Sequence, residues 1–132
     1  MCSPPARPDS PRRPTLPDKL VATGNKTVDA YLKTARAMLV PQRTLEDAER
    51  RLTRAQENDR RRYGFGGAAE ARQRAERRYD EANRDMNSAW RAEKAAAVAS
   101  CAADLNVHAK AAAAVEVMWI DFYNHPRYQQ EV

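Results

Sequence analysis

Cys101, Asp104 and His108 stand at i, i+3 and i+7, so a helix through them brings a thiol, a carboxylate and an imidazole to one face. All three are zinc-ligand types, but the set lacks a fourth member, since the other histidine, His125, lies seventeen residues further on. A buried cysteine beside a solvated aspartate and histidine is therefore the expectation, with no metal and no cofactor. Three of the four glycines fall within Tyr63-Gly64-Phe65-Gly66-Gly67, yet no Lys-Ser/Thr follows them as a phosphate loop requires. No helical Glu-x-x-His pair of the di-iron type occurs, and no Ser or Cys has a His and a carboxylate at a spacing that implies an activated nucleophile. The expectation is a protein that is not an enzyme.

The same glycine-rich segment supports a different chemistry. Arg60, Arg61 and Arg62 precede it, Arg72, Arg74, Arg77 and Arg78 follow it, and Tyr63 and Phe65 lie inside it. Guanidinium groups neutralise phosphates and aromatic rings stack on unpaired bases, so Arg60, Arg61, Arg62, Tyr63, Phe65, Arg74, Arg77 and Arg78 form a candidate contact for nucleic acid or an acidic protein. The structural alternative is that arginine is simply a good helix former and that the two rings close the turn over the last helical layer. The charge distribution agrees with a basic tip: residues 50–78 hold 10 basic and 4 acidic groups, whereas residues 44–49 and 79–132 each carry a net −3.

The elements that position these residues read as helices. Asn25 or Thr27 as N-cap, Asp29 in the first turn, and Val28, Tyr31, Leu32, Ala35, Met38 and Leu39 at three- and four-residue spacing predict a helix over about 27–40. Pro41 disfavours helix in the residue before it, which sets the expected break near Val40. Thr44-Leu45-Glu46-Asp47 then reads as a capping box that opens a second helix over 44–62, with Leu45, Ala48, Leu52 and Ala55 as its seam. After the turn no proline or glycine occurs until Pro126, and alanine recurs every seven residues at Ala68, Ala75, Ala82, Ala89, Ala96 and Ala103. That stripe predicts a long third helix over 68–124 that lets a partner helix approach closely. The expected fold is all-α: an antiparallel helical hairpin or coiled-coil-like bundle over 24–132, with one long C-terminal helix. An extended, proline-rich basic arm over 1–23 holds six of the eight prolines.

A turn centred on Phe65 pairs Ala55 with Ala75 and Ala48 with Ala82, and beyond Ala103 the long helix outruns its intrachain partner. Yet that end is the most apolar part of the chain, with Val115, Met118, Trp119, Ile120, Phe122 and Tyr123 within nine residues. These six form the candidate protein interface, for a second copy or another subunit. The alternative is a bend near residues 104–106 that folds the segment back onto the first helix; both make residues 115–123 a packing centre.

Composition limits the rest. Alanine, at 25 of 132 residues against 7 Leu and 2 Phe, favours narrow helical seams over a broad core. Two cysteines are too few for a secreted disulfide framework, no apolar stretch reaches a membrane span, and no h-region follows Arg7, Arg12 and Arg13. An intracellular location, or a place within a virion or similar assembly, is expected, with no classical export signal and no membrane partner. The leading functional expectation is a structural or adaptor subunit of a larger assembly, a homo-oligomer or one of several protein subunits, that binds neighbours through its arm and its apolar C-terminal end. The alternatives are a small basic nucleic-acid-binding protein that uses the arginine-rich tip, and a helical inhibitor or regulator of an enzyme.

Overall fold

The computed structural model describes residues 22–124, and within them the chain is all-α with no strand. Four helices follow one another: α1 (Lys26–Ala37), α2 (Leu39–Arg62), α3 (Ala68–Ala103) and α4 (Leu105–Tyr123). The proline-rich arm expected over 1–23 falls almost wholly outside the described residues. The chain divides into two compact units, one made of Met1–Ala37 with Ala92–Val132, the other of Met38–Arg91.

In the first unit α1 starts as its sequence dictates. Asn25 is the N-cap, its side-chain oxygen accepting from the backbone N–H of Thr27 at 3.0 Å and of Val28 at 3.3 Å. Asp29 in the first turn accepts from the Thr23 N–H at 2.7 Å and its hydroxyl at 2.8 Å, which ties the entering chain to the helix. Val28, Tyr31, Leu32 and Ala35 are buried along one face. That face packs against α4, whose His108, Ala111, Ala112, Val115, Met118 and Phe122 repeat at three- and four-residue spacing and are buried.

The continuous helix expected over 68–124 is interrupted. Asp104 leaves helical geometry at φ −160° and ψ 103°, and its carboxylate accepts from the Val107 N–H at 3.1 Å, so α3 stops and α4 restarts behind a regular N-cap. An aspartate mid-pattern competes for the backbone N–H groups of the next turn, and burial of the α4 stripe against α1 favours that choice. The fold-back considered from sequence is the arrangement adopted.

The junction between the first two helices also differs from expectation. The break lies at Met38, upstream of Val40, and Pro41 sits in the first turn of α2, where its missing N–H has no intrahelical acceptor to lose. Thr44 caps nothing: it lies inside α2 and its hydroxyl donates to the Val40 carbonyl at 3.0 Å. In the second unit, Ala48 of α2 and Ala68 and Ala82 of α3 are buried, while Leu45, Leu52, Ala55, Ala75, Tyr79, Met86 and Ala89 are half-buried. Ala68, Ala75, Ala82 and Ala89 thus lie on the covered side of α3 within this unit; of the two members in the first unit, Ala96 is half-buried and Ala103 exposed.

Candidate nucleic-acid interface

The candidate site is the turn of the second unit and the helix ends on either side of it. Arg60, Arg61 and Arg62 form the last turn of α2, where cations meet the negative end of the helix dipole. The helix closes on Tyr63, which adopts the left-handed conformation at φ 51° and ψ 39° and donates its N–H to the Asp59 carbonyl. Gly64 donates to the same carbonyl at 3.2 Å, Phe65 to the Arg62 carbonyl at 3.0 Å, and Ala68 to the Phe65 carbonyl at 3.3 Å. Gly64, Gly66 and Gly67 all have positive φ, at 80°, 67° and 78°, so the segment reverses through conformations that only glycine adopts freely.

Asp59 anchors the turn twice. Its carbonyl accepts the two N–H groups of the cap, and its carboxylate accepts from Arg72 Nε at 2.6 Å, bridging α2 and α3. Arg72 Nη1 donates to Glu76 at 2.6 Å as well, and its hydrogen bonds to Asp59, first, and to Glu76 raise the Arg72 pKa above its ordinary value. Arg72 is therefore a strut of the turn. Arg60, Arg61, Arg62, Arg74, Arg77 and Arg78 are exposed, and among the described residues none of the six is in an ion pair.

The aromatic rings are bare: Tyr63 is 86% exposed and Phe65 76%, so neither closes the turn over a helical layer, while the arginines lie within α2 and α3 as good helix formers do. Arg60, Arg61 and Arg62 thus end α2, Tyr63 and Phe65 lie in the turn, and Arg74, Arg77 and Arg78 lie in the second and third turns of α3, about 9–15 Å of helix beyond its start.

The C-terminal candidates divide. Val115, Met118 and Phe122 are buried in the first unit, Trp119 and Ile120 are half-buried, and Tyr123 is 48% exposed. Trp119 stacks on Tyr123 with ring centroids 5.9 Å apart and meets Phe122 edge-on at 5.5 Å. The helix side that carries most of the apolar surface is consumed internally, which leaves a narrow aromatic edge.

The Cys101, Asp104 and His108 set does not assemble as a ligand cluster, and no metal-binding group of such side chains occurs among the described residues. Asp104 is occupied as the α4 cap, and His108 is buried, contrary to the solvated histidine expected. Its Nδ1 lies 2.8 Å from the hydroxyl of Ser100, which is fully buried, and its ring lies 5.0 Å from that of Tyr31. Burial lowers the His108 pKa; burial, and then the Glu93 carboxylate, raise that of Tyr31 to about 12. Burial raises the Glu93 pKa too. Sequence inspection missed the Ser100–His108 pair because it spans the interruption at Asp104, and i,i+8 residues of one unbroken helix stand about 12 Å apart along its axis. No described helix is long and apolar enough to cross a membrane.

No protein-family model, curated protein or solved structure matches the chain.

Proposed function

We propose that this chain is a non-enzymatic helical adaptor whose second unit is an antiparallel hairpin that presents its tip to a polyanionic partner. The observation that carries this reading is the set of six exposed arginines on either side of the turn, none of them in an ion pair among the described residues. The Ser100–His108 pair of the first unit argues for architecture, since Ser100 is fully buried and out of a substrate's reach. The test is retention on immobilised heparin at low salt: the full chain should be held, and the triple variant Arg60→Ala, Arg61→Ala, Arg62→Ala should elute markedly earlier. Passage of the full chain straight through would refute the reading.

A second reading, assembly through the C-terminal end of α4, is supported by the Trp119–Tyr123 stack, half of whose tyrosine faces water. The informative variant is Trp119→Ala with Tyr123→Ala, because Phe122 belongs to the core and its loss would confound assembly with folding. Light scattering over a range of concentrations should then show a larger mass for the parent than for the variant; equal masses remove the reading.

A further inference from the structure

We infer that the polyanion recognised by the tip is single-stranded nucleic acid, with bases stacked on Tyr63 and Phe65 and phosphates held by the arginines of α2 and α3 on either side of the turn. The inference rests on the polyanion-binding reading above and narrows it to one ligand class. Arginines alone would serve any phosphate, sulfate or carboxylate polymer, so the rings decide. A duplex hides its base faces inside its own stack, and a sulfated or acidic polymer has no faces to offer; an unpaired strand offers one per nucleotide. Tyr63 and Phe65 are separated by one residue, which holds their Cα atoms within about 7 Å, close enough for the rings to take neighbouring bases.

Two further features point the same way. Tyr63 occupies a left-handed position where glycine is the low-cost residue, and its ring gains almost no burial in exchange. The six cations outside ion pairs on either side of the turn are all arginine, whose planar group stacks on bases as well as neutralising phosphates. Arg72 is excluded from the set because Asp59 and Glu76 occupy it, and this bridge holds the base of the turn while the rings stay open.

The experiment is fluorescence anisotropy with the full chain and a labelled oligothymidylate of about 15 nucleotides, near the upper site sizes of single-strand binders. A duplex of equal length, heparin and polyglutamate serve as competitors. The single strand should be preferred over the duplex about tenfold, and Tyr63→Ala with Phe65→Ala should weaken it about tenfold or more while heparin retention is unchanged. Replacing Arg60, Arg61 and Arg62 by alanine should weaken every polyanion and flatten the log–log salt slope by about 2. The Tyr63→Gly variant, which keeps the turn in its preferred conformation, should show the loss with undiminished helicity, which excludes misfolding as its cause. Equal affinity for strand and duplex, with the aromatic variant indifferent, overturns the inference and leaves the polyanion reading standing. Tighter binding of polyglutamate than of the oligonucleotide overturns it in favour of an acidic protein. Failure to bind any of these ligands sinks both.

Discussion

Replacing Tyr63 by glycine separates the fold of the tip from its use. The residue sits at φ 51°, ψ 39°, where a side chain beyond Cα costs roughly 1–2 kcal/mol. Glycine removes that penalty but gives back roughly 0.5–1 kcal/mol through the greater freedom of the unfolded chain. With 86% of Tyr63 open to solvent, lost burial subtracts only a few tenths of a kcal/mol at roughly 25 cal/mol/Å². The net expectation is a stability between unchanged and about 1 kcal/mol higher than the parent. Urea unfolding followed by tryptophan fluorescence reads this in both units, because Trp90 lies in Met38–Arg91 and Trp119 in the other unit. A loss of more than about 1 kcal/mol would mean that the ring is a packing element of the turn, and its exposed placement would be refuted along with its role as a stacking platform.

The remaining predictions concern the first unit. His108 has a folded pKa below its ordinary 6.5, so the unfolded chain binds the extra proton first and stability should fall as pH drops below 6.5. His108→Gln should flatten that part of the melting-temperature profile; Glu93, whose folded pKa is raised above 4.5, works in the opposite sense, its contribution declining as pH rises through that range. Tyr31, shifted from 10.0 to about 12, should cost stability as pH rises above 10, and Tyr31→Phe should abolish that alkaline loss in thermal melts. Asp104→Ala removes the cap of α4 and should lower stability by about 1 kcal/mol in urea titration, whereas Asp104→Asn should retain most of it. Met118→Ala, at a buried position of α4, should cost about 2–5 kcal/mol, well beyond the effect of Ala at half-buried Trp119.

The all-α class and the approximate helical spans were legible because periodic apolar residues, Asn25 and the glycine turn are local signals. What escaped was decided by competition between local signals and burial. Thr44 carries every mark of a cap, yet Pro41 fits equally well inside a first turn, and starting α2 at Leu39 keeps three more residues helical. Asp104 is a weaker mark in an alanine-rich stretch; only the apolar stripe of α4 and its complement on α1 make the interruption the better solution. The tip residues were readable as a basic, aromatic cluster, but their exposure was not, since sequence cannot say whether Tyr63 and Phe65 cover a helix end or stand clear of it. The C-terminal aromatics were recognised as a packing centre, while their division between core and edge depends on which face of α4 meets α1.

Chain connectivity gives the turn one more consequence. The first unit joins α1 to the end of α3 and α4, the second joins α2 to the start of α3, so each draws one strand of chain from either side of residues 63–67. An endoprotease that cut within this exposed segment would leave every helix whole and yet divide both units at once. Folding, until then unimolecular, would become an association of two fragments and would depend on their concentration. A ligand seated on the tip would shield the peptide bonds on which that difference depends.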